Sequence, residues 1–161
     1  MFDWCQWLAN THLATAIRQS YWLFPIIEGS HILALPASVG MIVIFDLRLL
    51  GLAFRGGPGL RIIREFLRWS RIGFVTMFVT GGFLFMTQAE KAYLNPFFRT
   101  KLILLLLLGI NAAVYHAIFY QRMAQWDLAG TIPVGAKFCG GLSLVFWIGV
   151  IVCGRTMAYQ F

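Results

Sequence analysis

Apolar residues fall into four long blocks, at about 22–52, 72–88, 101–120 and 136–155, separated by short polar or breaker-rich stretches. A helix needs about 20 predominantly apolar residues to cross the hydrocarbon core, so each block predicts one membrane span. The first block has residues to spare and carries Glu28, His31, Asp46 and Arg48, with Pro36 in its interior. Between the first and second, Arg55, Arg61, Arg64, Arg68 and Arg71 surround Gly56-Gly57-Pro58-Gly59. That composition predicts a loop with room for a short interfacial helix. The second block is Phe-rich and dotted with Gly73, Thr76, Thr80, Gly81 and Gly82, small residues that let helices approach closely in lipid. Asn95-Pro96 punctuates the chain before a leucine-rich third block, and Asp127, Gly130 and Pro133 mark the turn into the fourth. Residues 1–20 are too polar to span, yet hold Trp4, Trp7 and Leu8 ahead of a helix start at Thr11, which places them along the outer surface. The expected architecture is all-α: a single integral membrane domain, a four-helix up-and-down bundle with a short N-terminal interfacial helix.

Composition sharpens this. Of 161 residues 60% are hydrophobic and 12% charged, with mean hydropathy +0.76; a soluble domain carries about twice that charged fraction. Nucleic-acid binding and a cytosolic enzyme fold are excluded, and the bilayer is the first partner. The net charge of +7 reports topology, because the basic residues flank the apolar blocks. Arg48, Arg55, Arg61, Arg64, Arg68, Arg71, Arg122 and Lys137 fall on one side, against Arg18, Lys91, Arg99, Lys101 and Arg155 on the other. The richer side is expected in the cytoplasm, which predicts a multi-pass protein of the bacterial inner (plasma) membrane with both termini periplasmic. The opening Met-Phe-Asp-Trp lacks the basic start of a signal peptide, so a retained N-terminus is expected. The cysteines, Cys5, Cys139 and Cys153, form no CxxC pair and read as small apolar packers.

Ionisable groups in a bilayer are costly and tend to face a bundle interior. Glu28, His31, Lys101 and Arg155 lie toward the outer side, Asp46, Arg48 and His116 toward the inner side, and Asn111 nearer the middle. Glu28 and His31 are three apart, and Asp46 lies eighteen beyond Glu28, about five turns at 3.6 residues per turn. Regular helix geometry therefore predicts one polar stripe. Gly109, Ala112 and His116 put a histidine at the end of a small-residue groove, which suits a packed helix or a flat ligand.

His31 and His116 are the candidate cofactor and metal ligands, since imidazole commonly binds haem iron. Their depths differ by roughly 13 Å at 1.5 Å per residue, which disfavours one haem held between them. Two separate sites would need further ligands: Met86 for His31, or Met41, Met77 or Cys139 for His116. In a quinone site Glu28 and His31 would handle protons on the outer side. The plainer readings are hydrogen-bonded core histidines, with Glu28 neutralising Arg155 or Lys101 and Asp46 pairing with Arg48 or a loop arginine. His12 with Cys5 is a weak external metal pair.

The stretch Ser20-Tyr21-Trp22-Leu23-Phe24-Pro25-Ile26-Ile27-Glu28-Gly29-Ser30-His31 continues to Asp46-Leu47-Arg48-Leu49-Leu50-Gly51. With Asn95-Pro96, Lys101, Asn111, His116, Gly154-Arg155 and Ala158-Tyr159, it resembles a family of small bacterial inner-membrane proteins known only as a domain of unknown function. The resemblance covers nearly the whole chain and implies four spans with His31 and His116 at motif positions. In layout the chain is also loosely similar to small b561-type haem b cytochromes and to the membrane domain of copper-resistance proteins. A two-haem cytochrome with only histidine ligands needs four placed histidines, and this chain has three. The leading expectation is a membrane subunit that binds haem b and exchanges electrons with quinone or a redox partner. The alternatives are a non-catalytic scaffold or partner subunit, and a copper- or proton-handling transport component.

Overall fold

The computed structural model describes residues 2–53, 59–123, 125 and 130–159, leaving aside the side chains of 59–64 and 158. The Gly56-Gly57-Pro58 breaker, Arg55 and Asp127 lie outside the described residues. Among those described there is no strand. Two short helices open the chain, α1 (Phe2–Ala9) and α2 (His12–Gln19), the second capped by Thr11, whose side chain accepts from the Ala14 N–H. The first span is α3 (Leu23–Leu35), a π-helical turn (Pro36–Gly40) and α4 (Met41–Leu49). Then come α5 (Gly59–Thr87), the short α6 (Ala89–Leu94), α7 (Pro96–Ile118), a 3-10 turn (Tyr120–Arg122) and α8 (Val134–Ala158). Four stretches are long and apolar enough to cross a membrane: Leu23–Leu49, Glu65–Thr87, Pro96–Ile118 and Val134–Met157. The protein is an all-α, four-span membrane bundle.

Three local features decide how the bundle is built. First, the arginine stretch 61–71 is not a loop: it continues the second span as one 29-residue helix. Nothing between Leu60 and Arg71 breaks a helix, so the breaker acts only before Gly59. Second, Gly51 ends α4 at φ 75°, a left-handed conformation that costs glycine little. The Leu52 N–H reaches the Leu47 carbonyl and the Gly51 N–H the Arg48 carbonyl, closing the helix with a Schellman motif. Third, Asn95-Pro96 both stops α6 and starts α7: Asn95 Oδ1 accepts from the Phe97 N–H at 2.9 Å, and Pro96 takes the first helical position, where no N–H is needed.

The π-turn corrects the expectation of a single polar stripe. A π-turn carries an extra residue, so positions beyond it rotate by about 100° relative to an unbroken helix. Asp46 is accordingly buried at 4% exposure, whereas Glu28 is exposed. The π-turn is gripped by α5. A Cβ on Gly73 would stand 2.8 Å from the Ser38 backbone N, so only glycine allows the two backbones to come this close. Ser70 donates to the Ser38 carbonyl at 3.1 Å, and the Ser38 hydroxyl reaches back to the Ala34 carbonyl at 2.8 Å.

Around the bundle the packed neighbours run α5, first span, α8, α7. The ring does not close. α5 and α7 meet at the end nearer the termini, where Phe85 stacks on Phe98 at 5.4 Å and α6 bridges them. Among the described residues they form no comparable packed interface along the rest of their lengths. Exposed Trp4, Trp7, Tyr21 and Trp22 surround the terminal end, with Cys5, Ala9 and Ala89 packed beneath.

Candidate functional site

Where α5 and α7 part, a cavity of about 260 Å³ runs into the bundle. Its wall comes from all four spans: Ile42 to Leu49 of α4, Leu67 to Phe78 of α5, Leu105 to His116 of α7 and Cys139 to Trp147 of α8. Each of those stretches runs between the bilayer middle and the side of the arginine-rich loop, and their ends differ in chemistry. Ile42, Phe74, Phe78, Leu105 and Trp147 make the middle apolar, with Phe74 and Trp147 in ring contact at 5.7 Å. Asp46, Tyr115, His116 and Ser143 gather at the loop-side end.

The polar end is tightly built. Gly140 lets α8 close on α4, since a Cβ there would lie 3.2 Å from the Asp46 carbonyl oxygen. Ser143, one turn beyond Cys139, hydrogen-bonds the Asp46 carboxyl. Asn111 ties α7 to α8 by donating from Nδ2 to the Cys139 carbonyl at 2.9 Å. Tyr115, one turn along from Asn111, packs edge-on against Phe45 at 5.4 Å and is 5% exposed. His116 is exposed and stacks on Tyr120 at 4.6 Å. Among the described residues, Asp46 Oδ2 and the Tyr115 hydroxyl at this end are buried without a hydrogen-bond partner. Leaving such a group unpaired costs about 1–3 kcal/mol, so this end carries an unmet demand for polar partners.

His31 stands in a different setting. Its Nδ1 lies 2.9 Å from Thr80 Oγ1, and the Thr80 hydroxyl is 2.6 Å from the Thr76 carbonyl. The Thr80 hydroxyl proton is directed at the Thr76 carbonyl, which leaves the Thr80 oxygen to accept when His31 Nδ1 carries the ring proton, and the ring also hydrogen-bonds the Met77 backbone. Gly81 makes room for the ring, a Cβ there lying 3.1 Å from His31 Cε1. The imidazole is held by α5 alone, with Lys101 within electrostatic range from α7. Tyr115 sits at the depth of Phe45, fourteen residues along the first span from His31. That is about 20 Å of helix, so His31 and His116 belong to separate groups.

The remaining polar candidates disperse. Arg48 is buried in the last turn of α4, two residues beyond Asp46. Lys101 points its Nζ toward Gly154, where a Cβ would lie 3.6 Å away. Arg155 is exposed and its guanidinium covers the Tyr159 ring at 5.6 Å. Among the described residues no ion pair joins Glu28 to either of them. All three cysteines are free and buried; Cys5 packs against Ala89 while His12 is exposed. No group of three or more His, Cys, Asp or Glu side chains is positioned for a metal among the described residues. The small-residue groove of α7 is not filled by a helix, since a Cβ on Gly109 would meet nothing within 4 Å. Tyr115 and Ser143 were not singled out from sequence. The available signal was the helical spacing Asn111–Tyr115 and Cys139–Ser143, four residues in each case.

A model of a family of unknown function, DUF6644, matches residues 2–160. The chain belongs to that family. No curated protein and no solved structure matches it. The DUF6644 match covers every element described above, so the cleft lies within the family's own domain.

Proposed function

We propose that this DUF6644 chain is a quinone-linked subunit of a bacterial inner membrane, its cleft holding the ring of a quinone or quinol. One observation carries the reading: Asp46 Oδ2 and the Tyr115 hydroxyl, both buried and without partners among the described residues, belong to side chains at the polar end of an otherwise apolar cavity. The Tyr115 hydroxyl donates to a quinone carbonyl, and the Asp46 carboxylate accepts from a quinol hydroxyl. The volume supports a single substituted ring. About 150 Å³ suffices for benzene in a protein core, and 260 Å³ leaves space for ring substituents. A lipid-soluble carrier must also enter from the side, and the unpacked α5/α7 edge is that opening. Arginine-rich flanks on the loop side support a cytoplasmic loop and periplasmic termini.

Haem b is the other cofactor this chain admits. His31 is the imidazole that would hold the iron, its ring oriented by Thr80 Oγ1 at 2.9 Å from Nδ1, whereas the distance to His116 argues against a shared axial pair. Haem iron would supply one-electron chemistry, and His31 would hold it.

The test is equilibrium binding of a short-chain ubiquinone or menaquinone analogue to the purified protein in nanodiscs, with a reduced-minus-oxidised spectrum of the same sample. Saturable binding, weakened at least tenfold by Asp46→Asn and by Tyr115→Phe, is the expected result. Absence of binding to the wild type, or equal affinity in both variants, overturns the quinone reading. A b-type band lost in His31→Ala assigns haem to that residue; a featureless spectrum from haem-replete cells removes haem.

A further inference from the structure

The cleft has a direction and an entrance, and together they define the shape of what it binds. The polar groups Asp46, Tyr115, His116 and Ser143 lie at the loop-side end, and the wall toward the bilayer middle is apolar through Phe74, Phe78, Leu105 and Trp147. Phe78, 76% exposed, faces lipid at the lip of α5, and Gly109 and Ala112 form the opposite lip on α7. Among the described residues α5 and α7 do not form one of the closely packed helix pairs, and the Phe85–Phe98 stack ties them together at their terminal-side ends. Gly109 is the low point of the α7 lip, with open space where its Cβ would be.

Resting on the quinone reading, we propose that Gly109 and Phe78 form a side portal that passes the isoprenoid tail, so that the site selects a long-tailed, membrane-dissolved carrier, ring toward the loop side. A tail-less ring can satisfy Asp46 and Tyr115 as well as a tailed one. The tail, however, must leave through the portal, because the inner wall of the cavity is closed by packed spans. The same geometry makes the loop side the face on which ring protons are exchanged, through Asp46. That departs from the outer-side role that the sequence suggested for Glu28 and His31. Glu28 is exposed outside the cleft, and His31 is not among the residues of its wall.

Gly109→Leu offers a clean probe, since a side chain there grows into open space. In nanodiscs, the affinities of a decyl-chain quinone and of its tail-less ring analogue are compared in the wild type, Gly109→Leu and Tyr115→Phe. The expected pattern is a loss of tenfold or more for the decyl-chain ligand in Gly109→Leu, with the tail-less ring changed by less than threefold. Tyr115→Phe weakens both ligands alike. Equal loss of both ligands in Gly109→Leu, or no loss of either, overturns the portal while leaving ring binding in place. Failure of both ligands to bind the wild type overturns the ring site and the portal with it. Gly82→Ala, outside the cleft and with nothing within 4 Å of the added carbon, serves as the folding control and is expected to bind both ligands as the wild type does.

Discussion

The first span carries two polar stations, and they are built on opposite terms. At His31 the ring proton has a partner and the hydroxyl that receives it has passed its own proton to a carbonyl. At Asp46 and Tyr115, about 20 Å away along the helix, two buried atoms have no partner among the described residues, on side chains that line a cavity. The first station is complete within two helices. The second draws on four and is still incomplete. Interior polar groups in folded proteins are nearly always satisfied, so an incomplete cluster at a cavity reads as one half of an interaction. Between the stations lies the π-turn, pressed against Gly73, which fixes how one is rotated relative to the other.

Four substitutions break or sharpen that contrast. The largest effect is expected from Gly73→Ala, where the added carbon meets backbone at 2.8 Å. It should cost about 3 kcal/mol in unfolding from mixed micelles and disturb both stations together. Thr80→Val removes the interhelical acceptor of His31, and a loss of about 1 kcal/mol is expected, with ligand binding in the cleft unchanged. Tyr115→Phe should act in the opposite direction. No hydrogen bond is lost, so the ligand-free protein gains up to about 1 kcal/mol, while the stabilisation conferred by an added quinone analogue shrinks. A loss of stability in ligand-free Tyr115→Phe would mean that the hydroxyl is paired. Gly109→Ala is the smallest, within about 0.5 kcal/mol of the wild type, since nothing lies within 4 Å of the new carbon.

The four spans were legible because apolar blocks report the membrane directly, residue by residue. Trp4 and Trp7, read from sequence as interfacial, are exposed, and Thr11 proved a true cap. The site was legible only in part. Asp46, Asn111 and His116 were visible as polar residues in apolar blocks, whereas Tyr115 was not, because tyrosine counts as apolar until its hydroxyl is found buried. The single polar stripe failed for a definite reason. It assumed 3.6 residues per turn through Pro36–Gly40, and one extra residue in that turn moved Asp46 away from Glu28's face. The open α5/α7 edge was likewise beyond the sequence, since small residues at Gly109 and Ala112 suit a packed helix and an empty groove equally well.

The aromatic cluster at the terminal end has one more consequence. Trp4, Trp7, Tyr21 and Trp22 prefer the boundary between headgroups and hydrocarbon, so they act as a waterline and set how deep the bundle floats. Gly109 lies thirteen residues from the start of α7, about 20 Å below that waterline in a hydrocarbon layer of about 30 Å. On the portal we propose, the mouth of the cleft would open among the acyl chains of the leaflet farther from the termini, and the buoyancy of a few rings at one surface would decide which layer of lipid feeds it.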